Sequence, residues 1–180
     1  MTLRAALVQT SLVWQDAPAN RARFAALLAP LAGEVDVVVL PEMFSTGFHM
    51  QPERFAEPAA GETDDWLRAQ AARLDAAVCG SVGIREGDAF FNRLLWAQPD
   101  GTVRHYDKRH LFRMGQEHEH YSAGSAPLLV RWRGWSVCPL VCYDLRFPVW
   151  SRRRPALDYE LLLYVANWPA ARAFSSWVQA

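Results

Sequence analysis

Three polar residues that could act together each follow a stretch predicted to be a β-strand. Residues 135–141 precede Cys142, residues 37–41 precede Glu42, and residues 102–107 precede Lys108. In open α/β sheets the carboxyl ends of the strands share one edge, and ligands bind there. We therefore expect a thiol, a carboxylate and an ammonium group to meet at that edge, although they are distant in sequence.

These groups suit nucleophilic catalysis. A free thiol is a weak nucleophile at neutral pH, because only a few per cent is thiolate at a pKa of about 8.5. Glu42 can take the proton of Cys142, and Lys108 can stabilise first the thiolate and then an oxyanion. Each residue also has an ordinary explanation, since a lone cysteine is often a small core residue and a lone charge at a strand end is often solvated. Spacing alone leaves their convergence open.

The composition indicates one globular domain. The chain has 180 residues, of which 51% are hydrophobic and 21% are charged, a balance typical of folded domains. The formal net charge is +0 and the pI is about 7.0, so the charge balance offers no electrostatic footprint for nucleic acid or anionic membranes.

The cysteines and the apolar segments predict a location. The chain has three cysteines, which are Cys79, Cys138 and Cys142. Their number is odd, and their spacing matches no disulfide framework or zinc motif. Residues 1–14 contain no apolar segment typical of a signal peptide, and no stretch approaches the roughly 18 apolar residues of a membrane span. We expect a cytoplasmic protein in a reducing compartment.

The apolar pattern predicts an α/β domain with mixed sheets. Asn20 is a candidate N-cap for a helix at 21–29 that Pro30 should end, and Thr63 is a candidate N-cap for a second helix. The turn residues 99–101 predict a hairpin, and residues 110–125 read as a long loop, which is often functional. The predicted strands cover residues 3–9, 35–40, 78–84, 91–97, 102–106, 128–132, 135–141 and 159–166.

Three segments carry a resemblance to a known family. Leu40-Pro41-Glu42, residues 106–112 and residues 141–148 resemble, in the same order, the signature segments of the nitrilase superfamily of carbon–nitrogen hydrolases. Residues 5–10 and 163–169 also fit, so the resemblance covers the whole chain. Any one motif is weak, whereas all of them in order form a specific signal.

The resemblance implies an αββα sandwich and a Glu-Lys-Cys triad that needs no cofactor and no metal. Glu42 matches the general base, Lys108 the oxyanion stabiliser and Cys142 the nucleophile. The family also uses a second glutamate between the lysine and the cysteine. Glu117 is the best match for it, and Glu119 is a nearby competitor.

Within the superfamily, residues 107–114, 142–150 and 165–172 most resemble the omega-amidase branch. Such enzymes hydrolyse small dicarboxylate monoamides, for example 2-oxoglutaramate and 2-oxosuccinamate, so the implied partner is a small amide substrate. An amidase of another nitrilase branch stays an alternative.

Candidate substrate-binding residues follow from the same resemblance. The backbone N–H of Tyr143 would be a second oxyanion donor, and Arg172 would bind the far carboxylate of the substrate. Asn167 and Trp168, together with Phe44, are the other candidates. Ordinary core packing explains the aromatic residues equally well, and Tyr121 shares that ambiguity. Arg146 is better explained by a structural ion pair.

Two other chemistries are weaker readings of the sequence. A metal site at residues 117–120 is disfavoured because two histidines at i and i+2 cannot share a helix face and no distant ligand pair completes the site. A cysteine–histidine hydrolase would require His105 or His110 to approach Cys142.

Full-length members of the resembled family continue with further strands and helices. We therefore expect residues 1–180 to form a carbon–nitrogen hydrolase domain that is incomplete at its C-terminus, and the complete protein to be a homo-oligomer. An inactive fragment of such an enzyme is the alternative to an active chain.

The absence of a metal or nucleotide motif beside the three residues yields a test. Amide hydrolysis, measured as ammonia release by a complete version of the protein, should be unchanged after treatment with EDTA. Activity that EDTA abolishes and zinc restores would instead favour a metal site at residues 117–120.

Overall fold

The computed structural model describes residues 2–168, which build two β-sheets and five short to medium helices. The helices of this described part are α1 (Ala17–Leu28), α2 (Pro52–Phe55), α3 (Glu62–Leu74), α4 (Glu117–His120) and α5 (Pro148–Ser151). Three 3₁₀ turns accompany them, at Ala29–Leu31, Arg113–Gly115 and Cys142–Arg146. Within these residues no helix is long and apolar enough to cross a membrane.

The first sheet has six strands: β1 (Ala5–Leu7), β2 (Val37–Val39), β3 (Glu57–Pro58), β4 (Ala77–Glu86), β5 (Ala89–Ala97) and β6 (Val103–Asp107). Its main path is β1-β2-β4-β5-β6, and β3 pairs with β4. β5 is antiparallel to both β4 and β6, whereas β1, β2 and β4 are parallel. The strands β2 and β6 therefore run in the same direction, so Glu42 and Lys108 leave the sheet at the same end.

The second sheet consists, within the described residues, of β7 (Val130–Trp132), β8 (Trp135–Val141) and β9 (Leu161–Val165). β8 is antiparallel to β7 and parallel to β9. Both sheets are thus mixed, as the hairpin signal predicts for the first. Cys142 follows β8, so the expectation that all three polar groups share the edge of one sheet is wrong. They converge from two sheets.

Strand β2 shows how the layers are built. Val37 and Val39 face a core that includes Val137 and Leu140 of the second sheet. Val38, between them, faces a second core that includes residues of α1 and α3. Since successive side chains of a strand point to opposite faces, β2 is buried on both. A short run of valines therefore accounts for the layer order, in which helices cover one face of the first sheet and the second sheet covers the other.

The helix starts differ from the predicted ones. α1 begins one turn earlier than expected, and its N-cap is Asp16, whose carboxylate accepts a hydrogen bond from the Ala19 N–H. Gly61, not Thr63, precedes α3. The strand β1 is also shorter than the strand predicted at residues 3–9, and its Leu7 is 77% exposed. The prediction that Pro30 ends the first helix is confirmed, since α1 stops at Leu28.

Asn20 is a buried structural residue instead of a cap. Its Nδ2 donates to the carbonyl oxygens of Val13 and Ser45, at 2.7 and 2.8 Å, and its Oδ1 accepts from the Val13 N–H at 2.8 Å. Helices favour asparagine at their N-termini, but a fully buried amide is also suited to satisfying several backbone groups at once. Asn20 thereby ties the loop after β1 to the loop after β2.

The segment at residues 110–125 is more ordered than the predicted loop, since it contains a 3₁₀ turn and α4. It returns to the end of β6 at Gly124, whose N–H donates to the Lys108 carbonyl at 2.9 Å. The Arg109 guanidinium donates to the Gly124 carbonyl at 2.9 Å. A Cβ at position 124 would overlap the Asp107 carbonyl group. Only glycine permits this close approach beside Lys108.

Replacing Gly124 tests the close approach. Gly124→Ala should lower the free energy of unfolding by about 1–3 kcal/mol, because the new methyl group forces the backbone of Asp107 aside. Gly83→Ala is the matched control, since the nearest heavy atom to a Cβ there is 3.7 Å away. Urea denaturation of both variants measures the difference, and equal stability of the two would contradict this packing.

Candidate active site

A fully buried lysine lies at the centre of the site. Lys108 is 1% exposed, and its Nζ lies 2.8 Å from Oε1 of Glu42. The same Nζ lies 2.8 and 3.1 Å from Oε2 and Oε1 of Glu117. A buried ammonium is tolerated only when it is paired and hydrogen-bonded. The two carboxylates, themselves 1% and 0% exposed, supply that pairing.

Glu117 is held as firmly as the lysine. Its Oε2 accepts a hydrogen bond from the Phe112 N–H at 2.6 Å, and its Oε1 accepts one from Nδ2 of Asn92 at 2.9 Å. It stands at the start of α4. Glu119, two residues further on, is exposed. The structure therefore places Glu117, and not its competitor, beside Lys108.

Cys142 stands at a sharp turn between β8 and the 3₁₀ turn Cys142–Arg146. Its φ is 41°, a conformation that costs a residue with a Cβ about 1–3 kcal/mol and that recurs at functional sites. The turn begins at the cysteine, and the first N–H groups of a helix have no partner within it. The backbone N–H of Tyr143 is therefore suited to donate a hydrogen bond beside the thiol.

Asp144 ties the cysteine turn to the lysine turn. Its fully buried carboxylate accepts hydrogen bonds from the hydroxyl of Tyr106 at 2.8 Å and from the backbone N–H of His110 at 2.9 Å. It also lies 2.8 Å from Nδ1 of His110. Tyr106 and His110 flank Lys108 by two residues on either side. One carboxylate thus fixes the relative position of Cys142 and Lys108 across the two sheets.

The electrostatic environment keeps the thiol protonated at rest. Burial, followed by the nearby carboxylate of Glu42, raises the pKa of Cys142 well above its ordinary value, and the charge of Lys108 opposes this. Burial alone would lower the pKa of Lys108, but Glu42 and Glu117 outweigh it and raise that pKa. Burial also raises the pKa of Glu117, against the effect of Lys108.

The other two thiols lie away from Glu42 and Lys108. Cys79 and Cys138 lie on strands in the core between the sheets. Burial raises the pKa of Cys138 to about 11 and raises that of Cys79 as well. Cys142, by contrast, is hydrogen-bonded to Glu42 and opens onto a cavity.

The cavity has a volume of about 230 Å³. Its polar lining includes the groups described above, and most of its remaining wall is aromatic. The lining residues are Trp14, Glu42, Phe48, Lys108, Phe112, Cys142, Tyr143, Asn167 and Trp168. Glu42 also contacts another lining residue, because the Asn167 N–H lies 3.3 Å from its Oε2.

Not every predicted binding residue lies in this cavity. Tyr143, Asn167 and Trp168 line it, whereas Phe44 does not. Phe44 is fully buried on the helix side of the first sheet, where its ring lies 5.6 Å from Phe24. Assigning Phe44 to the pocket wall is therefore wrong, because its side chain leaves the turn after Glu42 towards the opposite core. Arg172 lies outside the described residues.

The alternative chemistries are not assembled. His110 stacks on Phe147 with ring centroids 3.7 Å apart and bonds Asp144, while His105 is exposed. Neither histidine is presented to Cys142. Among residues 2–168 no cluster of three or more histidine, cysteine, aspartate or glutamate side chains could hold a metal ion. Tyr121 is buried with its hydroxyl bonded to the His49 carbonyl, away from the cavity.

Several residues of the site lie outside the sequence motifs. Trp14 and Phe48 line the cavity from loops that carry no recognisable signal. Asn92 is fully buried and contacts both glutamates. An asparagine in the middle of a largely apolar strand is a usable signal, because a buried amide requires partners.

Comparison with known proteins identifies the family of this chain. The sequence model of the carbon–nitrogen hydrolase family matches residues 4–179. A curated relative from Yersinia enterocolitica, named omega-amidase YafV, is 56% identical over 174 residues, which cover 96% of this chain. The chain spans 66% of that relative's length, slightly less than two thirds.

Two solved structures confirm the predicted nitrilase-type fold. XC1258 from Xanthomonas campestris, a CN-hydrolase superfamily protein described with an arsenic adduct in its active site, has a TM-score of 0.94 and 53% identity. The match covers 98% of this chain and 69% of XC1258. Nit3 of Saccharomyces cerevisiae, a nitrilase-superfamily member, has a TM-score of 0.86 and 23% identity. The match covers 97% of this chain and 68% of Nit3, and at this identity it shows a likeness of fold alone. By its sequence match over nearly its entire length, the chain belongs to the carbon–nitrogen hydrolase family.

Proposed function

We propose that the complete protein hydrolyses the C–N bond of a small omega-amido acid, of the 2-oxoglutaramate or 2-oxosuccinamate type, to an acid and ammonia. The observation that carries this proposal is the buried Lys108 ammonium, held 2.8 Å from Glu42 in the wall of a cavity that Cys142 also lines. The relative named omega-amidase supports the class of substrate.

In the proposed acylation, Glu42 removes the proton of the Cys142 thiol as the sulfur attacks the amide carbonyl carbon. Lys108 and the Tyr143 N–H stabilise the negative charge that develops on the carbonyl oxygen, an arrangement of donors fixed before the reaction. The C–N bond then breaks, and the leaving nitrogen takes the proton from Glu42 to form ammonia. The acyl group stays on Cys142 as a thioester.

Deacylation uses the same groups with water. Glu42 removes a proton from a water molecule, and the resulting hydroxide attacks the thioester carbonyl. The intermediate collapses to release the acid, and the Cys142 sulfur recovers the proton from Glu42. Every proton and charge is handled by a side chain or by the backbone, so the proposed route uses no cofactor.

The role proposed for Glu117 is to keep Lys108 charged and in place. Its two oxygens accept four short contacts, from Lys108, Asn92 and the Phe112 N–H. With a second carboxylate, the ammonium remains bound when Glu42 is transiently protonated. Lys108 can then act as a donor throughout the cycle.

The cavity supports a small linear substrate. Its volume of about 230 Å³ is below the roughly 300–1,000 Å³ of pockets for drug-sized ligands. The aromatic side chains that line it, among them Trp14, Phe48, Phe112 and Trp168, can contact a short methylene chain. Arg172 stays the proposed partner of the far carboxylate, because a guanidinium binds a carboxylate in a bidentate manner.

The expectations about the protein in the cell also stay proposals. The three cysteines are free, which supports a reducing cytoplasm. Homo-oligomer formation by the complete protein rests on the family resemblance alone. Size-exclusion chromatography with light scattering measures it directly.

Substitution of the three residues tests the proposed division of labour. Cys142→Ala should abolish ammonia release from 2-oxoglutaramate. Lys108→Ala should lower kcat by on the order of 10²–10³, as the loss of an oxyanion donor does, and Glu42→Gln by roughly 10²–10⁴. Cys138→Ala, which removes a core thiol, is the matched control and should retain activity. Inactivation by Cys138→Ala but not by Cys142→Ala would show that the nucleophile is assigned wrongly.

A further inference from the structure

Asn92 is a neutral side chain that donates hydrogen bonds to both glutamates of the site. It lies in the middle of β5 and is fully buried. Its Nδ2 is 2.9 Å from Oε1 of Glu42 and 2.9 Å from Oε1 of Glu117. Its backbone carbonyl accepts the Lys108 N–H at 3.0 Å. Asn92 therefore contacts all three charged residues.

The orientation of the Asn92 amide follows from the chemistry of its neighbours. A carboxylate accepts hydrogen bonds and cannot donate them, so the NH₂ group must face the two glutamates. The Asn92 Oδ1 then has no hydrogen-bond partner within residues 2–168. An unpaired buried acceptor costs about 1–3 kcal/mol. That cost is tolerated where both amide hydrogens are needed for two different carboxylates.

Few other side chains could take this place. Serine and threonine offer one hydroxyl hydrogen, and an ionised aspartate offers none. Asparagine is short, uncharged and has two donors on one nitrogen. It can therefore hold two carboxylates without adding a charge to a site that already contains two carboxylates, an ammonium and a thiol.

The two oxygens of Glu42 are consequently not equivalent. Oε1 accepts from Lys108 at 2.8 Å and from Asn92 at 2.9 Å, which occupies both of its lone pairs. Oε2 accepts a longer contact, from the Asn167 N–H at 3.3 Å. That same N–H is also hydrogen-bonded to Cys142. Oε2 therefore lies on the side of the thiol.

We propose that Asn92 is a positioning residue that anchors Oε1 of Glu42 and so reserves Oε2 for proton exchange with Cys142. This inference rests on the proposed role of Glu42 as the base. Asn92 reaches no reacting atom; it acts by holding the carboxylate in one rotation and by sharing its second hydrogen with Glu117.

The charged and titratable groups around Glu42 set the expected direction of a pH effect. Three of these groups are Lys108 after β6, Glu117 at the start of α4 and Cys142 after β8. The fourth is Tyr121, which follows α4 and whose pKa is raised by burial and by the charge of Glu117. Asn92→Asp keeps the shape but exchanges two donors for a negative charge. A further like charge disfavours the ionised form of Cys142, so the apparent pKa of this thiol should rise.

The test measures the reactivity of the Cys142 thiol and needs no substrate. The full chain is treated with iodoacetamide over a range of pH, and the alkylation of the Cys142 peptide is quantified by mass spectrometry. The midpoint of this profile should move to higher pH by about one unit or more in Asn92→Asp. Asn92→Ala removes the positive end of the amide dipole and should move the midpoint in the same direction by a smaller amount.

Asn20→Asp is the matched control. Asn20 is equally buried, and its Nδ2 also donates to two oxygens, but these are the backbone carbonyls of Val13 and Ser45. This variant should lower the melting temperature and leave the midpoint of Cys142 alkylation where it is in the parent protein. A purely structural role of Asn92 would give the same result as this control.

The kinetic counterpart is the acid limb of kcat for amide hydrolysis, which should also move to higher pH in Asn92→Asp and Asn92→Ala. If the alkylation profiles shift in the Asn92 variants but the parent protein does not hydrolyse the amide, the positioning of Glu42 is supported and the proposed function is not. Unshifted midpoints in both Asn92 variants, or an equal shift in Asn20→Asp, would overturn the inference. If Asn92→Asp does not fold, the midpoint of Asn92→Ala decides.

Discussion

A lysine ammonium that is removed from water must be neutralised, and the site of this protein is arranged around that requirement. Lys108 is 1% exposed and contacts Glu42 and Glu117 at 2.8 Å each. An isolated charge in this place would cost several kcal/mol, and removing Lys108 would leave two buried carboxylates without a counter-charge. The two carboxylates exceed the one ammonium by a negative charge, which is why they need the further donors of Asn92 and Phe112.

Burial and the excess of negative charge together explain the state of the thiol. A cysteine beside a lysine alone would tend to ionise, whereas burial, and after it Glu42, raise the pKa of Cys142. In the proposed mechanism, Cys142 therefore keeps its proton until Glu42 accepts it in the same step as the attack. The fold contributes the rigid frame, since Cys142 comes from the second sheet and Lys108 from the first. Asp144 joins the two by bonding Tyr106 and His110.

Much of this fold is readable from the sequence where a local pattern determines the outcome. The strand β8 has the bounds that its apolar run predicts, and the antiparallel pairing of β5 with β6 follows from the turn between them. Glu42, Lys108 and Cys142 are prominent because each ends an apolar stretch. Their convergence is a property of two packed sheets, and no local pattern contains it.

The failures have physical causes of the same kind. Phe44 follows Glu42 closely in sequence, but its ring packs against Gly80, where a Cβ would lie 2.7 Å from it. That space exists only because β4 carries a glycine there. Trp14 reaches the cavity because Asn20 ties its loop to the loop that contains Ser45. Asn20 resembles a helix cap in sequence, and only the packing shows that its amide is buried.

In the proposed mechanism the acyl group passes through a thioester on Cys142, and that thioester can be trapped. The complete protein with Glu42→Gln is mixed with 2-oxoglutaramate, quenched with acid and digested for mass spectrometry. The expected product is an adduct on the Cys142 peptide whose mass is that of the amide less ammonia and which hydroxylamine releases. An adduct on another residue, or ammonia release by this variant at the parent rate with no adduct on Cys142, would contradict the proposed mechanism.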